Sequence, residues 1–190
     1  MKFRNWIFGL IALSFAVSLF AETKTKEETP TKAFQVTGIN NYGAETIDSL
    51  DGTGLIKLNG TSILKSVTLV GSLITLNAEI GTLDVIGEAN LTGTIIKNGG
   101  SVAGSLQAVR SVFKKDISLY SQKSVFTASK LEGITIHKDA ALKNKQVIEL
   151  KQGTIINGAV HFESGKGEII LFPGCQVLGP VTGGKIVKKT

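Results

Sequence analysis

The sequence predicts an all-β fold, a single-stranded parallel β-helix (β-solenoid) with coils of about 16–18 residues. Three observations carry it. Short apolar–polar alternations recur from residue 33 onward, three apolar registers share one period, and no window after residue 32 repeats apolar residues at helical spacing.

The alternations come first. Val67-Thr68-Leu69, Leu83-Asp84-Val85, Ile117-Ser118-Leu119, Ile134-Thr135-Ile136 and Val160-His161-Phe162 each place two apolar residues on one strand face. Gly, Asn, Ser and Lys separate them. The chain has 22 Gly but only three Pro, so the glycines belong to turns and not to a Pro-rich tract.

The registers come second. One runs through residues 69, 85, 102, 119 and 136, at spacings of 16, 17, 17 and 17. Another runs through Leu58, Leu76, Leu91, Val109, Val125 and Leu142, and a third through Ile63, Ile80, Ile96 and Val112. Leu55-Ile56-Lys57-Leu58-Asn59 against Leu73-Ile74-Thr75-Leu76-Asn77, offset by 18, is the clearest local copy. Three registers on one period predict three short strands per coil, each paired with its equivalent one coil on. The inward side chains then stack in columns and fill a narrow core that one coil could not bury alone. The chain has room for roughly eight such coils.

After residue 137 the spacing lengthens. Val147 to Leu150, Ile155-Ile156 and Ile169 to Phe172 still read as strands. Ile169 to Phe172 is either fully buried or the closing element of the stack. Lys143-Asn144-Lys145 and Glu163-Ser164-Gly165-Lys166-Gly167 read as longer, projecting turns.

The N-terminus supplies an address. Lys2 and Arg4 precede an uncharged, largely apolar run from Trp6 to Phe20, and polar residues follow Ala21. Residues 1–21 read as a secretory signal peptide, because the run is shorter than the roughly 18–20 residues that span a bilayer. Residues 22–32 hold no large apolar side chain and read as a flexible linker. The solenoid domain is expected over 33–190. Localisation is therefore expected to be periplasmic, cell-surface or extracellular, with no membrane span after cleavage. Loss of Lys2 and Arg4 leaves 19 basic against 15 acidic residues, a mild +4 with lysines scattered along the chain. Such a balance reads as solvated faces and points away from nucleic acid. The densest basic cluster is Lys185, Lys188 and Lys189. Cys175 is the only cysteine, so no internal disulfide forms, and it reads as a small buried hydrophobe.

The segment Gly81-Thr82-Leu83-Asp84-Val85-Ile86-Gly87-Glu88-Ala89-Asn90-Leu91-Thr92-Gly93-Thr94-Ile95 resembles the repeat texture of bactofilin-type, polymer-forming β-helices. Gly158-Ala159-Val160 and residues 179–186 look similar. The resemblance implies a right-handed β-helix and molecules that polymerise end to end without nucleotide. That family is typically cytosolic, so the resemblance here implies an exported variant. Ile80 to Leu91 also resembles two units of the left-handed hexapeptide-repeat acyltransferases, but the six-residue phase does not persist.

Candidate chemistry is sparse. Glycoside hydrolysis needs two carboxylates on one groove. Asp48 and Asp51 precede Gly52-Thr53-Gly54 and read as turn residues, while Asp84 reads as a solvated strand position. Glu163 and Glu168 flank a turn whose solvation explains them. Arg110, the one Arg after the signal segment, reads as a turn or surface residue. His137 and His161 are too few for a metal site and are expected to point outward. Tyr42 and Tyr120 are the only tyrosines, and no Trp remains after cleavage. No catalytic, cofactor-binding or metal residue is assigned, and no cofactor is expected. The expected role is non-enzymatic: a structural, scaffold or adhesin-like β-helix whose partner is itself or an envelope polysaccharide. The alternative is a polysaccharide lyase or hydrolase built on loops 143–146 and 163–167.

Overall fold

A computed structural model describes residues 32–138 and 145–190. The signal segment, the linker up to residue 31, and Leu142, Lys143 and Asn144 lie outside the described residues. Among the described residues the fold is all-β, with parallel strands and no helix, stacked as a solenoid of about nine turns where roughly eight were expected. At the usual strand separation the stack is roughly 40 Å long.

The first strands are long: β1 (Ala33–Tyr42), β2 (Thr46–Asn59), β3 (Ser62–Leu76) and β4 (Glu79–Thr92). β5 (Ile95–Ile96) and β6 (Gly100–Val109) follow, then shorter strands down to Gly184–Lys188. Each long strand turns a corner at its glycine with the ladder intact, and Asp48 and Asp51 lie inside β2 and not in a turn, Asp48 at a register shift between Ile47 and Ser49. Asp48 instead pairs with Lys65 at 2.7 Å.

The glycines make that corner possible. Gly38, Gly54, Gly71, Gly87 and Gly104 stack one above another, all at positive φ. A Cβ on Gly87 would fall well inside 3.0 Å of the Gly71 carbonyl oxygen. Any side chain there would push the coils apart.

Inward columns fill the core. Leu69, Val85, Val102, Leu119 and Ile136 form one of them, each paired with the next and buried, as their spacing predicts. The second register holds at Leu58 and Leu91 and is one residue off at Leu76, Val109 and Val125. The buried column is Leu58, Thr75, Leu91, Ala108, Phe126 and Leu150, while Leu76 is exposed and Val109 and Val125 are half-buried. In the third, Phe113 takes the place assigned to Val112. The true offset from Leu55 is therefore 17, to Ser72, and not 18 to Leu73. A one-residue slip reverses the face of every side chain, so the alignment of look-alike segments misled. Thr75 tolerates its buried place because its hydroxyl lies 2.6 Å from that of Thr94. Ala108 is small where its column neighbour Phe126 is large, and Phe126 meets Phe113 edge to face at 5.9 Å.

A further column is polar. Thr61, Thr94, Ser111, Ser129 and Thr154 are all buried at one corner, with Ala78 on the rung between Thr61 and Thr94. The amides of Thr94, Ser111 and Ser129 each donate to the hydroxyl one coil on, at 3.1–3.2 Å. Each of those hydroxyls in turn donates to a nearby carbonyl. Cys175 takes the next rung and is buried, as expected of a small hydrophobe. Arg110, at positive φ, occupies the turn just before this column and is exposed.

Beyond Ile136 the coil lengthens. Its partner Phe162 lies 26 residues on. Of the run Ile169 to Phe172 only Ile169 is buried; its strand (Gly167–Leu171) pairs with Gly184–Lys188 in the last coil.

Candidate functional site

Two parts of the surface depart from a uniform solenoid: the corner that holds His137 and Glu163, and the two ends of the stack.

At the corner, one outward column continues Val70, Ile86, Ala103 and Tyr120, then places His137 over Tyr120. The two rings stack at 4.4 Å and 12°. Because they face each other along the axis, these mutually facing ring surfaces are unavailable to a sugar. His137 Nδ1 lies 2.9 Å from Glu163 Oε1, and the Lys138 amide donates to Glu163 Oε2 at 3.0 Å. Buried Gln146 ties down the same corner, its amide nitrogen donating to the His137 carbonyl at 2.7 Å. His161 points outward, as expected, with Nδ1 2.6 Å from the Thr182 hydroxyl. Glu163 is thus a bonded group and not a merely solvated turn carboxylate.

The Lys138 amide holds the Glu163 carboxyl below its ordinary range; slight burial opposes this, and His137 and His161 add to the lowering. A general acid at a glycosidic bond needs the opposite shift. Since the folded value lies below the unfolded one, the carboxylate's contribution is complete above the ordinary value of about 4.3. It is lost as pH falls through the lowered value. A carbon-detected NMR titration is expected to place the Glu163 midpoint below that ordinary value. A midpoint at or above it would mean that the Lys138 and His137 bonds are absent.

Glu168 is likewise bonded, accepting from Lys145, with Lys185 at 3.9 Å. The Lys145 bond is the largest cause that holds its carboxyl below the ordinary range. Lys145, Lys166 and Lys185 line an open cleft of about 620 Å³ with Gly165, Gly167, Gly183 and Gly184. The two loops expected to share a groove therefore do meet, but they bring lysines and glycines. Asp84, half-buried, accepts from the Ser101 hydroxyl and amide at 2.8 and 3.1 Å. It ties neighbouring coils together. Among the described residues no group of three His, Cys, Asp or Glu is placed to hold a metal.

The stack ends are the second feature. Among the described residues β1 pairs only with β2, and the last strand, Gly184–Lys188, pairs only with Gly167–Leu171. Inward residues that are buried elsewhere lose their cover here. Phe34, Val36 and Tyr42 are half-buried at one end, as are Val177 and Val181 at the other. Phe34 and Tyr42 lean together at 5.8 Å. Ile39 is 72% exposed and Leu178 64%.

The hydroxyl ladder escaped the sequence reading because its residues are polar. Its signal was present all the same: Thr94, Ser111 and Ser129 recur at 17 and 18, each two residues before a core side chain. No family model, curated protein or solved structure matches this chain.

Proposed function

We propose that this chain is an exported, non-enzymatic β-helix of structural or scaffold type, whose working surfaces are the two ends of the stack. The observation that carries this reading is the pair of parallel edges that no further strand covers among the described residues, each with half-covered apolar side chains in core positions. Repeat proteins need polar terminal caps to stay apart, and open sheet edges recruit further strands. The resemblance to polymer-forming bactofilin-type β-helices supports the same role, in an exported variant. The lowered Glu163 carboxyl, the opposite of what a general acid needs, supports a non-catalytic flank. Its place is the periplasm, the cell surface or the medium.

Light scattering with electron microscopy of residues 22–190 tests the reading. Rods or filaments that lengthen with concentration are expected, and a monodisperse monomer at all concentrations would overturn it. The lysine-lined cleft favours a second reading, contact with an acidic polysaccharide, either as ligand or as substrate. Reproducible polysaccharide turnover abolished by Glu163→Gln would establish the enzymatic form and remove the structural one.

A further inference from the structure

Resting on the second of those readings, contact with an acidic polysaccharide, we infer that the lysine-lined cleft takes the polymer as a ligand and that Glu168 is its built-in competitor. The cleft spans three coils. Val147–Lys151 pairs with Gly167–Leu171, and that strand pairs with Gly184–Lys188. Lys145, Lys166 and Lys185 therefore come one from each of three successive turns, which step along the axis by about 4.8 Å a coil. All three are exposed, and the other lining residues are glycines. A bilayer surface would call for large apolar side chains beside the lysines, and the cleft lining has none. Lysine ammoniums are compact point charges, without the fork that grips one carboxylate or phosphate in two places. Set one per coil along an open cleft, they suit a linear chain with a carboxylate on each sugar better than a single small anion.

Glu168 marks where the ligand's charge goes. Its side chain is largely covered, and its Oε2 accepts from Lys145 and lies 3.9 Å from Lys185. The charge of Lys189 also reaches it. Lys145, Lys166, Lys185 and Lys189 thus share one carboxylate, and the surplus is positive. A second open cleft shows the contrast. It measures about 690 Å³ and sets Lys114 and Lys115 against Asp116 and Glu132, with Asn98 beside them. Balanced charge there gives no net attraction for a polyanion. In the lysine cleft an incoming uronate meets ammoniums that Glu168 already engages, so it must share them or displace it. Glu168 therefore holds Lys145 and Lys185 in place and weakens their grip on the polymer.

Isothermal titration calorimetry of residues 22–190 with polygalacturonate tests this, with the fully methyl-esterified polymer as the uncharged control. Binding to the acid form alone is expected, lost at about 1 M salt, where the screening length is about 3 Å. Lys166→Ala combined with Lys185→Ala should weaken it at least about fivefold, and Glu168→Gln should tighten it about two- to fivefold, the weight of exposed ion pairs. Glu132→Gln makes the same change of net charge in the balanced cleft and should leave the affinity unchanged. Both substituted lysines are exposed, so their loss should leave the fold intact, and a urea midpoint checks it. If the lysine variant binds weakly but Glu168→Gln binds no tighter than the parent, or Glu132→Gln gains as much, the competitor is overturned and the cleft keeps its polysaccharide. Binding that the lysine variant leaves unchanged, or equal binding to the esterified polymer, would overturn the inference while leaving polysaccharide contact standing. No binding to polygalacturonate, or binding to vesicles of anionic phospholipid alone, would overturn both.

Discussion

Gly87→Ala is expected to lower the stability of the solenoid by at least about 3 kcal/mol, the combined cost of a forbidden backbone region and a close approach. Gly87 sits at φ +134, and its missing Cβ faces the Gly71 carbonyl. The carbonyl belongs to the neighbouring coil, so relief requires coils to separate where their ladder bonds are made. Gly165→Ala is the matched control. Its φ is also positive, at +69, but nothing lies within 4 Å of the added Cβ. It should cost about 1–2 kcal/mol, the left-handed penalty alone. Urea unfolding of both variants measures the difference. Equal losses would show that the glycine column is not a close backbone contact.

Phe126→Ala should cost about 3–5 kcal/mol, the usual range for a buried aromatic. Phe126 is fully buried and packs edge-on to Phe113. Val125→Ala, one residue away and half-buried on the outer face, should cost no more than about 1 kcal/mol. The pair also decides the register, because apolar spacing alone had put Val125 inward. A larger loss at Val125 than at Phe126 would restore the spacing-based register and refute the observed one. In a stack whose units touch only their neighbours, loss at Phe126 should weaken the coils on either side most. Hydrogen exchange would locate it.

These two residues mark what could be read in advance and what could not. The column Leu69, Val85, Val102, Leu119 and Ile136 was legible because every rung is apolar and every step is 16 or 17 residues. Its neighbour was not, because Thr75 and Ala108 occupy core rungs while Leu76 and Val109 sit beside them outside. Asp48 and Asp51 were misplaced for a related reason. Composition marks them as turn residues, whereas a ladder that bends at glycine carries Asp48 and Asp51 inside a strand.

By itself the sequence determined the class of fold and its approximate period. Hydrophobic alternation and recurrence are properties of order along the chain, and they survive an error of one residue. The tertiary structure alone decided which side of each strand faces inward, how buried hydroxyls are satisfied, and that His137 and Glu163, 26 residues apart, become neighbours. Each depends on which residue lies directly above another one coil away. That is fixed by the glycine corner and by hydrogen bonds between coils, which no local pattern records.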